Sequence, residues 1–222
     1  CCTTDGNGNI YLAGHTWSNT GNIIATPAGH QPVFGGGNSD AVVVQFNSSG
    51  IRQWGTFYGG SGNEAAFSCT TDGAGNIYIT GNTSSASAFG TSGAYQSTLI
   101  NGQSALLSKF TKNGGRIWIT YYGGDISGNE IGYNVCIDPF NNPFIVGNTS
   151  SASGIATVGA HQTSLDGIED CFVAKFNNSG QRIWATYYGG NGTSDYAKGI
   201  CTDNTGFVYI SGGTNSTNNI AT

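Results

Sequence analysis

Short apolar runs alternate with polar residues along this chain, and glycine, asparagine and aspartate separate the runs. Between residues 65 and 122 the pattern predicts four strands, Ala65–Thr71, Asn76–Gly81, Ala105–Thr111 and Arg116–Tyr122. Runs rich in Ile, Val, Tyr and Phe between such turn residues are typical of antiparallel hairpins. No stretch has the period of an amphipathic helix, so we expect an all-β protein.

The four-strand pattern recurs with a nearly fixed period. A strand tryptophan and a turn aspartate recur every 64 to 67 residues. These residues are Trp54, Trp118, Trp184, Asp5, Asp72, Asp138 and Asp203. A period of this kind is the signature of a repeat architecture. Four antiparallel strands in each repeat are typical of one blade of a β-propeller.

The period divides the chain into about 3.5 blades of about 65 residues each. We place the blades at 1–60, where the first strand is incomplete, at 61–124 and at 125–190, followed by a half blade at 191–222. A closed propeller has roughly four to eight blades. We therefore expect the chain to be one β-propeller fragment, with the remaining blades supplied by the same protein or by a partner chain.

Four runs resemble the bacterial SBBP ("seven-bladed β-propeller") repeat, and the resemblance extends over essentially the whole chain. The runs are residues 75–83, 155–162, 172–177 and 184–190. The resemblance implies a β-propeller in a large secreted or cell-surface bacterial protein, often from Bacteroidetes. The family shares an architecture without a catalytic motif, so the resemblance implies a fold and a location rather than an activity.

Composition narrows the set of partners. Only 9% of residues are charged, and the seven cations are outnumbered by twelve acids. Five of the cations recur at fixed repeat positions, which disfavours the basic surface that a nucleic acid requires. No apolar run reaches the 18 or more residues of a spanning helix. We expect no nucleic-acid partner and no membrane span.

Most of the acidic residues recur once per repeat, and we interpret these as structural. An unrepeated cluster in one long loop is formed by Asp166 and Glu169 next to Asp170. We expect this cluster to be a solvated loop. The alternatives are a calcium site, since hard cations prefer clustered carboxylates, or an acid/base pair. No other cofactor is expected.

Two further sets recur. Cys2, Cys69, Cys136 and Cys201 fall in successive first strands, where we expect small buried side chains too far apart for disulfides. An Arg-x-Trp pair in each fourth strand suggests arginine stacked beside tryptophan, with the acids Glu64, Glu130 and Asp195 as its ion partners.

The unrepeated parts of the long loops at Asn19–Gly37, Ser84–Gln103 and Ser150–Glu169 are where function is expected. Trp17, Phe34, Tyr95 and Leu99 place apolar groups among small polar residues. Such groups suit the recognition of a glycan or a surface protein, and they equally suit a loop folded over its own blade.

The sequence thus predicts a non-catalytic module of a secreted or cell-surface protein, used for adhesion, ligand binding or spacing. The alternative is part of a secreted carbohydrate-active or other hydrolytic enzyme with its site in the propeller channel. The sequence contains no unrepeated pair of catalytic groups, so we do not expect an enzyme.

Overall fold

The computed structural model consists of strands joined by turns and long loops. It describes residues 1–19, 23–27, 29–86, 90–100 and 102–220, so parts of the first two long loops and the end of the predicted half blade lie outside it. The described residues contain no α-helix, which confirms the all-β prediction. Accordingly, no helix in these ranges has the length and apolarity needed to cross a membrane.

The strands form three four-stranded antiparallel sheets and one two-stranded sheet. Sheet 1 contains β1 Cys2–Thr4, β2 Ile10–Thr16, β3 Asp40–Phe46 and β4 Arg52–Tyr58; sheet 2 contains β5 Glu64–Thr71, β6 Ile77–Thr83, β7 Ser104–Phe110 and β8 Arg116–Tyr122; sheet 3 contains β9 Glu130–Ile137, β10 Pro143–Thr149, β11 Asp170–Phe176 and β12 Arg182–Tyr188; sheet 4 contains β13 Asp195–Thr202 and β14 Val208–Thr214. Consecutive strands pair in each sheet. In sheet 2 the fourth strand has its predicted bounds. The first strand differs from its prediction by one residue at one end, and the second and third differ by one or two residues at both ends.

The recurring aspartates build the first turn of each sheet, as expected. In sheet 2, Asp72 Oδ1 accepts hydrogen bonds from the backbone N–H groups of Ala74 (3.0 Å) and Asn76 (2.8 Å). The glycine that completes this turn, Gly75, has a φ of 81°. Asn141 occupies the equivalent position in sheet 3 with a φ of 62°, a conformation that asparagine tolerates better than most residues.

The recurring tryptophans join neighbouring sheets. The indole nitrogen of Trp54 donates to the carbonyl of Lys112 in sheet 2 (2.9 Å), and that of Trp118 donates to the carbonyl of Asn178 in sheet 3 (2.9 Å). Each acceptor lies in the turn between the third and fourth strands of the next sheet. The first two repeats therefore each contribute a tryptophan that is hydrogen-bonded to the repeat after it.

The predicted Arg–Trp stacking is wrong for Arg182. Its guanidinium lies 4.4 Å from the ring of Tyr95 in the preceding repeat, and it donates to the carbonyl of Ile155 (2.6 Å). The predicted ion pairing of the recurring acids is also wrong for Glu64. That carboxylate is buried and accepts hydrogen bonds from the hydroxyls of Thr83 (2.6 Å) and Ser85 (2.7 Å).

Candidate ligand-binding site

A β-bulge interrupts the first strand of sheets 2, 3 and 4. The pairing register skips Phe67 between Ala66 and Ser68, and it skips Tyr133 and Lys198 in the same way. Each skipped residue lies three positions after the buried acid that opens its strand. Bulges bend a strand and re-aim a side chain, and they are enriched beside functional sites. We call Phe67, Tyr133 and Lys198 the bulge row.

The bulge row is continuous across three sheets. The ring centroids of Phe67 and Tyr133 are 5.9 Å apart with a tilt of 38°. The Lys198 ammonium lies 3.0 Å from the centroid of the Tyr133 ring and 5.7 Å from that of Tyr196. Phe67 is 37% exposed and Tyr196 is 40% exposed. The first strands thus present aromatic surface and one cation to solvent.

Polar contacts between the first strands hold the row in place. Ser68 Oγ donates to Asn134 Oδ1 (3.0 Å), and Asn134 Nδ2 donates to the carbonyl of Lys198 (3.1 Å). The N–H of Val135 also donates to Ser68 Oγ (3.3 Å). Side chains placed on strands that are fixed to one another are preorganised for binding.

A cavity of about 510 Å³ lies at the turn end of the same three strands. It is lined by equivalent segments of sheets 2, 3 and 4, which include Thr70–Gly73, Ile137–Pro139 and Thr202–Asn204. The cavity and the bulge row therefore lie on the same strands, and together they form the candidate site.

Two of the three aspartates that line this cavity form ion pairs with lysines. Asp72 lies 3.5 Å from the Lys109 ammonium, and Asp138 lies 3.0 Å from that of Lys175. Burial alone would raise the pKa of Asp72, but hydrogen bonds from Asn76 and the charge of Lys109 outweigh it and lower the pKa. These acids are ionised and hydrogen-bonded at neutral pH, so they are poorly suited to proton transfer.

Two of the four sequence-predicted ligand residues in the long loops are packed against separate hydrophobic clusters. Tyr95 lies against Tyr122 and Phe176, with ring centroids 6.0 and 6.2 Å away. Leu99 packs on the cluster shared by sheets 1 and 2. These contacts favour the alternative in which the loop folds over its own repeat and touches the next one.

The other two predicted loop residues differ in exposure. Phe34 packs edge-on against Phe57 with ring centroids 5.9 Å apart. Trp17 is 72% exposed and contacts His15 edge-on at 4.8 Å. The structure does not bring Trp17, Phe34, Tyr95 and Leu99 together, so their role in binding stays a prediction.

The acidic cluster is divided among different partners. The buried Asp170 accepts hydrogen bonds from Gln162 Nε2 (2.8 Å) and the N–H of Asp166 (2.9 Å), whereas Glu169 accepts one from Ser194 Oγ (3.0 Å). Across the described ranges, no group of three or more His, Cys, Asp or Glu side chains is placed to hold a metal ion. The calcium hypothesis gains no support from this geometry.

A larger cavity of about 810 Å³ beside His161 and Tyr188 belongs to packing between repeats. In sheets 1 and 2 the tyrosine equivalent to Tyr188 packs against a phenylalanine of the next repeat. Tyr58 lies 5.1 Å from Phe110, and Tyr122 lies 5.7 Å from Phe176. The cavity is at the corresponding position in sheet 3, so we do not assign it to ligand binding.

One comparison with known proteins identifies the repeat. A family model described as the SBBP beta-propeller repeat matches residues 183–220. The chain contains an SBBP repeat. The match spans nearly all of β12 together with β13 and β14. It confirms the resemblance for the run at residues 184–190, whereas the other three runs lie outside the matched residues. No curated protein matches the chain. The SBBP match describes an architecture, so the ligand must be argued from the site.

Sequence reasoning missed the bulge row because its members differ in type. Phe67, Tyr133 and Lys198 each lie three residues after the acid that opens their strand, but they are three different residue types. A weak signal was present: all three are large side chains at a position where the neighbouring strand residues are mostly small. Bulges themselves leave no residue pattern that a single sequence reveals.

Proposed function

We propose that the sheets are blades of a β-propeller whose first strands line its central channel. The SBBP repeat at 183–220 supports this arrangement. Further support comes from the first strands, because β1, β5, β9 and β13 contact one another in chain order. The turn contacts of Trp54 and Trp118 repeat the same sheet-to-sheet geometry twice. Under this proposal the bulge row faces the channel.

The function that the site supports best is non-catalytic ligand binding by a module of a secreted or cell-surface protein. The single observation that carries this proposal is the continuous bulge row on three adjacent first strands, in which Phe67 and Lys198 are exposed and Tyr133 is half-buried. The Phe67 ring supplies an exposed apolar face, and the Lys198 ammonium, which covers one face of the Tyr133 ring, supplies hydrogen-bond donors beside it.

A saccharide chain matches this chemistry. The C–H face of a sugar ring stacks on an aromatic side chain, and its hydroxyls pair with the polar groups at the edge of the site. Adhesion to glycans is therefore the form of binding that we favour.

A glycan array probed with the purified chain tests this function. We expect retention of a subset of glycans without release of products. Phe67→Ala and Tyr133→Ala should each weaken binding roughly 5- to 10-fold, because a ring contact contributes ~1 kcal/mol. Isothermal titration with the best glycan measures the change.

Two control variants separate the competing sites. Trp17→Ala removes the exposed loop aromatic, and Val158→Ala removes an exposed residue remote from both candidate sites. Unchanged binding by both supports the bulge row. Loss of binding in Trp17→Ala alone would show that the glycan binds at the long loops and not at the bulge row. Turnover of a glycan would favour the hydrolytic enzyme, and absence of any retention would favour a structural spacer.

A further inference from the structure

Two cysteine thiols meet where sheet 1 packs on sheet 2. The sulfur atoms of Cys1 and Cys69 are 3.3 Å apart, although the residues are 68 positions apart in the chain. Cys1 directly precedes β1, and Cys69 lies within β5. This contact involves Cys1, which lies outside the set of first-strand cysteines that were expected to be too far apart for disulfides.

We propose that Cys1 and Cys69 form a disulfide bond in an oxidising environment and that this bond joins the first two repeats. The inference is independent of the proposed binding function, because neither cysteine belongs to the bulge row. It identifies an oxidation site that links two neighbouring sheets covalently.

The backbone already holds Cys1 beside its partner. The amino group of Cys1 donates to the carbonyl of Ala13 (2.9 Å), and the N–H of Ala13 donates to the carbonyl of Cys1 (3.0 Å). Cys69 is buried and fixed in the ladder opposite Ile79. A disulfide requires the sulfurs to approach to about 2.05 Å. The exposed Cys1 side chain can make this small movement by rotation about its Cα–Cβ bond.

Exposure decides the order of the chemical steps when the oxidant is a small disulfide such as glutathione disulfide. The exposed Cys1 thiolate attacks one glutathione sulfur, forms a mixed disulfide and releases one glutathione thiolate. The Cys69 thiolate then attacks Cys1 Sγ, and the second glutathione thiolate leaves. The two protein thiols lose two electrons and two protons, and glutathione disulfide is reduced to two molecules of glutathione.

The environment of Cys69 affects the rate of the second step. Burial raises the pKa of Cys69 to about 11, so little thiolate is present at neutral pH. The mixed disulfide at Cys1 should therefore form first and close slowly. Closure should accelerate as the pH rises, since each increase in pH gives more Cys69 thiolate.

The other cysteines provide internal controls. Cys2 is exposed and adjacent to Cys1, so a vicinal bond is the competing product. Cys171 is buried in β11 of sheet 3, remote from sheet 1 in the fold. Substituting Cys2 by serine leaves Cys1 as the one cysteine of the N-terminal region and makes the linkage unambiguous.

Mass spectrometry of the oxidised chain tests the proposal. Trypsin cleaves after Arg52 and Lys109, which separates the fragment 1–52 from the fragment 53–109. Cys69 is the one cysteine of the second fragment. The protein is incubated with glutathione disulfide, its remaining thiols are alkylated, and it is digested without reduction. We expect the two fragments to be joined in the wild type and in Cys2→Ser.

The matched variant Cys1→Ser should lose the joined fragment while remaining folded, because its side chain is exposed. The urea midpoint of the oxidised wild type should exceed that of the reduced form, and this difference should vanish in Cys1→Ser. A vicinal Cys1–Cys2 bond, a persistent glutathione adduct at Cys1, or an alkylated Cys69 in Cys2→Ser after prolonged oxidation at alkaline pH would each overturn the proposal.

Discussion

Asp170 illustrates how a recurring acid acquires an individual chemistry. One of its oxygens accepts the hydrogen bonds from Gln162 and Asp166, and the other is buried without a hydrogen-bond partner. Burial raises its pKa to about 6, and the charge of Asp195 adds to the effect. Asp40 in sheet 1 has the same buried position, and its pKa is also raised to about 6. Both carboxyls are therefore poised to titrate under mildly acidic conditions.

Asp170→Asn should stabilise the protein at pH 8. The folded-state pKa of Asp170 lies above the unfolded value of 3.8, so the folded state binds this proton more tightly. Its contribution to stability is fully present below pH 3.8 and is lost as the pH rises through about 6. Asparagine carries no charge at either pH, so we expect Asp170→Asn to gain up to ~2 kcal/mol over the wild type at pH 8 and only a small part of this at pH 4. Urea unfolding at both pH values measures the difference.

Asp166→Asn is the matched control, since Asp166 is a partly exposed acid in the same loop. Its charge is a minor cause of the raised pKa of Asp170, so its unfolding free energy at pH 8 should rise much less than that of Asp170→Asn. A parallel pH dependence in Asp170→Asn and the wild type would contradict the assignment. Asp40 and Asp170 recur at the start of a third strand, which indicates a structural role. The sequence does not show that one oxygen of each is left without a hydrogen-bond partner, because this depends on how the loop packs above it.

At the scale of elements, the junction between sheets depends on a glycine beneath a tryptophan. Gly180 has a φ of 79°, and a Cβ added there would lie 2.8 Å from the indole of Trp118. Gly50 occupies the same turn in sheet 1 with a φ of 76°, and no atom lies within 4 Å of its added Cβ. Both glycines therefore need a left-handed backbone conformation, but only Gly180 has an indole packed against it.

Gly180→Ala should therefore destabilise the protein more than Gly50→Ala. Both variants bear the cost of a left-handed alanine, ~1 kcal/mol. Gly180→Ala must in addition displace the indole from the turn, and overpacking of this kind costs a further ~1–3 kcal/mol. Urea unfolding of the two variants gives the difference. Equal losses in both would show that the tryptophan contact adds little to the junction.

Sequence periodicity was a good guide to strands and a poor guide to their irregularities. The bounds of β8 were predicted to the residue, because alternation and flanking glycines mark both ends. The bulge at Phe67 was not predicted, because β5 contains one more residue than its partner β6 and the run itself does not show which residue is extra. The candidate site depends on these bulges, so it could be found only in the folded chain.

At the scale of the whole molecule, position in the row of sheets decides exposure. Ile79 in sheet 2 is fully buried against sheet 1, whereas the equivalent Leu12 in sheet 1 is 45% exposed. Tyr78 in sheet 2 is fully buried, whereas the equivalent Tyr209 in sheet 4 is 56% exposed. Equivalent residues have similar side chains in the sequence, so the repeat pattern does not distinguish the buried copies from the exposed ones. Burial depends on the neighbouring repeat, which a single repeat does not encode.

Hydrogen exchange should reveal the same gradient in stability. Each sheet is stabilised mainly by its neighbours, as in other repeat proteins. Sheets 2 and 3 pack on a sheet at each side, whereas β14 pairs with β13 alone. We expect the amides of β6 and β10 to exchange slowest. Those of β14 should exchange at least tenfold faster, because local opening of β14 breaks the fewest contacts.

Exchange measured by mass spectrometry at two protein concentrations provides the test. Slow exchange of β14 at both concentrations would contradict the gradient and would show that the four sheets unfold as one cooperative unit. Protection of β14 that disappears on dilution would instead show that a second copy covers its edge. Fast exchange of β14 at both concentrations, with β6 and β10 protected, is the result expected for sheets whose stability comes from the repeats on either side.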